Sequence, residues 1–263
     1  MRRPDGPARV PRQRPFAPLL RTVYAVLCLL ASWTILHVAI GSAIVPSPWV
    51  TAAAFVDLLP GALGLHLLSS LGRILAALSA SLLLGVVVGL WTGLSARSDR
   101  WIAPIVYLLY PLPKIAFLPI LMILFGLGNA PKILLIVFIL VFQVLLAVRD
   151  GVREIPAEWF LSVRSTGLGR GGLLVHLVLP AILPKLLTAV RIGIGIGLSV
   201  LFFAESFATT YGIGYFIMNS WLLVDYPDMY AGILAMSLMG WMLFSLVDLL
   251  ESRACRWVRV GKT

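Results

Sequence analysis

The chain has 263 residues, 60% of them apolar and only 12% charged, with a mean hydropathy of +0.99. Soluble domains are about 45–50% apolar and about 25% charged, so this composition cannot clothe a water-facing surface, which excludes a soluble enzyme and, by the same figures, intrinsic disorder. Long apolar runs in place of short alternating segments leave a polytopic α-helical membrane protein, and the formal charge of +10 must be mapped onto loops before it says anything about a partner.

About 20 apolar residues cross a bilayer. No Lys, Arg, Asp or Glu lies between Thr22 and Val56; span 1 is read from Thr22 to about Ala43, too long for the apolar core of a signal peptide. Pro46-Ser47-Pro48 through Pro60-Gly61 reads as an extracytoplasmic connection holding short helical pieces. Span 2 is expected from Ile74 to about Gly93. Span 3, Trp101 to about Phe125, contains Pro104, Pro111, Pro113, Pro119 and Lys114, so it must be kinked and must face protein or a cavity. Span 4 is expected over Ile133–Val148, span 5 from about His176 to Phe203, and span 6 from Met229 to about Leu250. Ser206–Val224 is charge-free but holds Thr209, Thr210, Gly212, Gly214, Asn219 and Ser220, too polar for a seventh span.

With both ends inside, 16 of the 21 Lys and Arg residues fall on the cytoplasmic side, in residues 1–21, at Arg97 and Arg100, between Arg149 and Arg170, and in the 253–263 tail. Only Arg73 and Lys132, each at a predicted span edge, fall on the other side; Lys114, Lys185 and Arg191 lie within spans. This bias predicts six spans in a membrane domain over residues 22–252, flanked by basic cytoplasmic segments 1–21 and 253–263. The positive charge is thus mostly topological and needs no nucleic acid to explain it.

Several motifs dissolve on inspection. Gly167-Leu168-Gly169-Arg170-Gly171-Gly172 satisfies a dinucleotide pattern but has no strand before it, and Gly261-Lys262-Thr263 has no helix to follow it, so neither is a nucleotide site. Gly197-Leu198-Ser199-Val200 fails the intramembrane serine protease pattern at its fourth position. His37, His66 and His176 fall at different depths and do not make a metal site, nor do Cys28 and Cys255, near opposite ends of the chain. Gly85, Gly89 and Gly93 in span 2, and Ala189, Gly193 and Gly197 in span 5, form small-residue faces for close packing, within the chain rather than between copies. Ionisable groups inside spans are functional candidates; Lys185 can snorkel to the cytoplasmic surface, whereas Arg191 sits deeper.

Between spans 4 and 5, Ala157–Thr166 is expected to be a short helix with Pro156 at its start and Gly167 at its stop. Trp159, Phe160 and Val163 give it an apolar face outside the bilayer, fit for lipid or for a partner's groove.

This segment resembles the cytoplasmic signature of permease subunits of binding-protein-dependent ABC importers. Gly167 and Leu179-Pro180 keep the signature's thirteen-residue spacing, with Leu177 at its isoleucine position, while Leu161, Ser162 and Val163 replace the usual Glu-Ala-Ala. The chain is similar over most of its length to the branch serving nitrate, sulfonates and taurine. Matching stretches are Ser70-Leu71-Gly72-Arg73, Pro111-Leu112-Pro113 through Leu118-Pro119, Phe125-Gly126-Leu127-Gly128, Leu179 to Pro184, Arg191-Ile192-Gly193, and Ala204-Glu205 followed by Gly212-Ile213-Gly214. The resemblance implies a six-helix permease of the type I importer fold in the bacterial inner membrane. It would pair with a second copy, two cytoplasmic ATPase subunits and an extracytoplasmic binding protein. ATP and Mg would sit on the ATPase, and no cofactor on this chain. A coupling helix over about 157–169 would seat in the ATPase, through Ala157, Trp159, Phe160, Leu161, Ser162, Val163 and Gly167, with Leu179 and Pro180 behind it. The translocation pathway is expected beside Pro111, Pro113, Lys114 and Pro119 in span 3, and beside Arg191 and Glu205 in span 5, where helix breaks and buried charge collect. Two roles stay open for Arg191, a contact to an anionic substrate or a packing pair with a carboxylate. An ion-gradient-driven secondary transporter is the alternative class; it predicts paired broken helices, and only one proline-rich span is visible.

Overall fold

The structure is a computed structural model and describes residues 17–207 and 209–257; residues 1–16 and 258–263, most of the two basic terminal segments, lie outside the described residues. Among the described residues the chain is helical, with no strand. The helices are α1 (Ala17–Ile40), α2 (Pro48–Leu58), α3 (Ala62–Leu94), α4 (Ala96–Leu109), α5 (Leu118–Phe125), α6 (Asn129–Arg153), α7 (Ala157–Ser165), α8 (Arg170–Leu173), α9 (Leu179–Glu205), α10 (Ile213–Leu222) and α11 (Tyr226–Ala254). Five are long and apolar enough to cross a membrane, and six spans result if α4 and α5, bent by 83°, count as one.

The centre of the bundle is α3 packed on α6. A Cβ added to Gly85, Gly89 or Gly93 would stand 2.7–2.8 Å from the Cβ of Val144, Val148 or Val152 respectively. Both partners step by four in the same direction, so the helices run parallel, with valine ridges in a glycine groove. The expected intramolecular role of these glycines is therefore what the structure displays. Helix α9 crosses α6 in the opposite sense: Gly193 faces Leu140, and Gly197 faces Ile74, Leu140 and Ile136. Ile74, Leu135, Ile136, Leu140, Ile194 and Leu201, each 0–1% exposed, fill the space between the three. Lipid is as apolar as these side chains, so close contact and satisfied polar groups hold the bundle more than apolar burial does. Helix α1 lies at the edge, with no residue of Thr22–Ile40 buried. It is held where Trp33 stacks on Tyr230 and donates from Nε1 to the Pro46 carbonyl at 3.1 Å.

Prolines set the breaks. In span 3, Pro111 and Pro113 stop α4 at Leu109, a 3₁₀ turn covers Lys114–Phe117, and Pro119 enters the first turn of α5. Span 3 is thus broken rather than merely kinked. Before α9, the stretch Leu174–Val178 is a π-helical turn. Pro180 has no N–H to offer the carbonyl four residues back, and the wider turn accommodates that loss. Span 2 begins at Ala62, well before the expected Ile74, so Ser70-Leu71-Gly72-Arg73 lies inside a helix.

Candidate functional site

Two places carry functional geometry, one at each end of the parallel α3–α6 pair. At the C-terminal end, α6 runs into α7. Phe160 and Val163 turn inward onto a cluster that includes Val152, Ile155 and Val178, whereas Trp159 is 54% and Leu161 66% exposed. Ala157 and Ser162 are exposed as well. Gly167 has φ +78°, and its N–H donates to the Arg164 carbonyl at 3.0 Å, ending the helix in the left-handed region that glycine tolerates. Leu179 and Pro180 follow at the π-to-α transition. Nearby, Asp99 at the start of α4 accepts ion pairs from Arg149 and Arg153, both at 2.6 Å, fixing the foot of the broken span to α6. The neighbouring pair Lys185–Glu154, at 2.5 Å, accounts for Lys185 at the surface.

At the other end lies a buried polar network that sequence reasoning did not assemble. Glu205, the last residue of α9, is 0% exposed. It takes an ion pair from Arg73 Nη1 at 2.5 Å, hydrogen bonds from Ser70 Oγ at 2.7 and 2.9 Å, and one from the Gly214 backbone N–H at 3.0 Å. Arg73, 6% exposed, also donates from Nη1 to the Tyr211 carbonyl at 2.6 Å and from Nε to Asn129 Oδ1 at 2.8 Å. Ser70 Oγ accepts from the Ile213 N–H at 2.8 Å, and His66 Nδ1 accepts from the Gly212 N–H at 3.0 Å. The effect is to bind residues 211–214, the entry to α10, to α3 and α9 directly, and through Arg73 and Asn129 to α6. Gly212 is required twice over. Its φ is +143°, and a Cβ there would stand 2.4 Å from Glu205 Cδ and 2.7 Å from Arg73 Nη1.

Two expectations are corrected here. Arg73 and Lys132, read as span-edge charges, are buried inside the bundle; Lys132 is 0% exposed and donates from Nζ to the Leu127 and Gly128 carbonyls, both at 3.0 Å. Arg191, read as a buried charge, has a side chain 31% exposed and bonded to Asp248 and Glu251 of α11, the latter at 2.7 Å. Two carboxylates on one guanidinium leave no surplus positive potential there. Helix α9 is continuous from Arg191 to Glu205. Lys114 is buried at the span-3 break: its Nζ donates to the Tyr110 carbonyl at 2.8 Å and lies 4.9 Å from the Phe142 ring centroid. The ammonium thus satisfies a carbonyl that a continuing helix would have paired with the Lys114 N–H.

The residues joined at Glu205 come from stretches already singled out, Ser70-Leu71-Gly72-Arg73, Ala204-Glu205 and Gly212-Ile213-Gly214. The signal was present in pieces, and only the fold joins them. His66, Asn129 and Lys132 carried no such mark.

A bundle of membrane-spanning helices with a broken span, a partly apolar helix projecting from one end and a buried ionic network at the other defines a polytopic transport permease. Residues 81–259 match the family described as the binding-protein-dependent transport system inner membrane component. The chain is 32% identical over 192 residues to the taurine transport system permease protein TauC of Escherichia coli (strain K12), covering 73% of this chain and 70% of that one. It is 25% identical over 225 residues to the nitrate import permease protein NrtB of Synechococcus elongatus, covering 80% and 78%. A chain of the inward-facing MetNI methionine ABC transporter shares the fold, with a TM-score of 0.62 and 16% identity over 73% of this chain and 96% of that one. The chain belongs to the binding-protein-dependent transport system inner membrane component family. It is therefore a multi-pass inner-membrane permease of an ABC importer, a transport component rather than a catalytic one, and not the ion-gradient-driven alternative.

Proposed function

We propose that this chain forms the membrane pathway of an ATP-driven importer for a small anionic solute of the sulfonate, taurine or nitrate kind, handed over by an extracytoplasmic binding protein. It works with a second copy of itself and two cytoplasmic ATPase subunits, which hold the ATP and Mg; this chain holds no cofactor. Both termini are cytoplasmic, and the membrane domain spans residues 22–252 between basic flanks. Helix α7 is the coupling element: Phe160 and Val163 anchor it to the bundle while Trp159, Leu161 and Ser162 face the ATPase, and Gly167, Leu179 and Pro180 set its angle. The span-3 break from Pro111 to Pro119, with Lys114 closing it, borders the pathway, and Glu205 holds the outer end of α9. Arg191 has the packing role, since its charge is already matched.

The observation that carries this reading is the division of α7 between inward Phe160 and Val163 and outward Trp159 and Leu161, in a chain whose relatives are named for taurine, sulfonates and nitrate. The test is reconstitution with the ATPase subunits and binding protein in proteoliposomes. ATP-dependent accumulation of labelled taurine or nitrate supports the proposal; accumulation driven by an ion gradient without ATP refutes it.

A further inference from the structure

Beside the Glu205 network lies a cavity of about 570 Å³, lined by Ser69, Arg73, Gly128, Asn129, Thr210 and Tyr211 among others. Its surroundings are unusual in charge. Arg73, which lines it, and Lys132, which bonds the carbonyls of the lining residues Leu127 and Gly128, are two buried cations against the single buried carboxylate of Glu205. Lys132 spends its donors on backbone carbonyls, which carry no net charge. The Arg73 guanidinium has five N–H donors. Nη1 serves Glu205 and Tyr211, and Nε serves Asn129, but Nη2 finds no acceptor among the described residues. Its donors are therefore left for the cavity that Arg73 lines. The amino end of the 25-residue α6, beginning at Asn129, opens on the same space and adds positive partial charge. Neutral polar groups complete the wall, with Ser69, Asn129 and Thr210 offering hydrogen bonds and no competing carboxylate.

We propose that this cavity is a binding site for a small oxyanion, a sulfonate or nitrate group, received at the end of the permease opposite α7. The Nη2 group of Arg73, with its N–H donors unpaired among the described residues, can donate a charge-assisted hydrogen bond to an oxygen of such a group, and one excess buried charge favours a single negative charge over a neutral or cationic solute. The proposal rests on the importer reading above, since it names where the solute first meets this chain. Glu205 takes part by holding Arg73 so that Nη2 points outward, and Asn129 fixes the guanidinium plane through Nε.

The experiment uses the full complex in lipid nanodiscs, with Ser69→Cys as reporter and modification read at residue 69 by mass spectrometry. The probes are two methanethiosulfonate reagents of similar size, one ending in a sulfonate and the other in a trimethylammonium. Each rate is divided by that reagent's rate with a free thiol in solution, and on that scale the sulfonate reagent is expected to react roughly tenfold faster, because the two differ by two charges in a site of positive potential. Methanesulfonate should slow the reaction saturably, while choline chloride at the same ionic strength should not. Asn129→Asp keeps the oxygen that accepts from Arg73 but cancels the excess charge; it is expected to bring the two rates within about twofold and abolish protection. Thr210→Cys, at another lining residue, serves as a second reporter if Ser69→Cys does not assemble. Equal rates for the two reagents in the unmodified cavity, or a preference untouched by Asn129→Asp, overturns the proposal. Protection seen only when the bilayer contains phosphatidylglycerol assigns the site to a lipid headgroup and overturns it as well. Sulfonate uptake at unchanged rate by Asn129→Asp would remove the site while leaving the importer reading intact. Charge-selective labelling in a complex that moves no anion would do the reverse.

Discussion

The Arg73–Glu205 pair invites a double-mutant cycle. Both side chains are removed from solvent, 7% and 0% exposed, and they meet at 2.5 Å. Removing one partner of such a pair leaves a buried charge uncompensated, at a cost of about 3–5 kcal/mol, whereas replacing both with neutral groups of similar shape is far less damaging. Glu205→Gln keeps an acceptor for Ser70 but strands Arg73 with only the Tyr211 carbonyl and Asn129. Arg73→Gln leaves Glu205 without its ion-pair partner, held directly by Ser70 and the Gly214 N–H, with Lys132 the remaining buried cation of the network. Each single variant should therefore lose about 3–5 kcal/mol. The double variant should lose less than the sum of the two, by about 2–3 kcal/mol of coupling between groups in direct contact. Reversible unfolding of the purified chain in mixed micelles reads all four corners, and Arg191→Gln in the same assay gives the reference for a half-exposed pair. Additive losses would refute the reasoning, because they would mean that the two charges do not depend on one another.

Gly212→Ala is expected to prevent the 211–214 segment from seating, since its Cβ would overlap Glu205 at 2.4 Å; Gly126→Ala, at φ +77° and ψ −175° with nothing within 4 Å, should cost about 1–3 kcal/mol of backbone strain alone, and melting temperatures of the two variants should separate them. Gly89→Leu should disrupt α3–α6 packing where Val148 approaches to 2.8 Å, with partial recovery of folded yield in Gly89→Leu/Val148→Gly. Gly167→Val meets no neighbour but must hold a β-branched residue at φ +78°, so the chain should fold and assemble while substrate-stimulated ATP hydrolysis by the complex falls. Reporter fusions after Ala96, Gly128, Gly169, Ser220 and Gly261 should read in, out, in, out, in; an outside signal after Gly261 would refute the orientation.

Much of this architecture was legible from hydropathy and proline placement. The helix stop at Gly167, the short helix after Pro156 and the non-spanning segment before Val224 all follow from local chemistry, which a single sequence displays. What was misread shares one cause. Hydropathy puts Arg73 at the edge of span 2 because a charge ordinarily ends an apolar run, yet it lies within α3 because its carboxylate comes from Glu205, 132 positions away. Lys132 was set outside for the same reason, and its partners are carbonyls, which no sequence pattern marks. Arg191 was weighted as a deep charge because Asp248 and Glu251 sit near the end of another helix. Pairing across a bundle is the information that a linear reading lacks; the glycine spacing succeeded because both halves of that contact advance in the same four-residue step.

That ladder of three glycines against three valines also fixes how force travels. Arg73 precedes Gly93 by 20 positions on α3, about 30 Å of helix at 1.5 Å per residue. Sliding α3 along α6 by one residue would drive each valine into the wall of its notch, and the next register that fits is four residues, about 6 Å, further on. Small axial slips are therefore forbidden, and the two helices behave as a single strut. The packing thus joins the residues where α6 hands over to α7 and those around Asn129 and Arg73, which fasten the 211–214 segment, into one rigid length of paired helix.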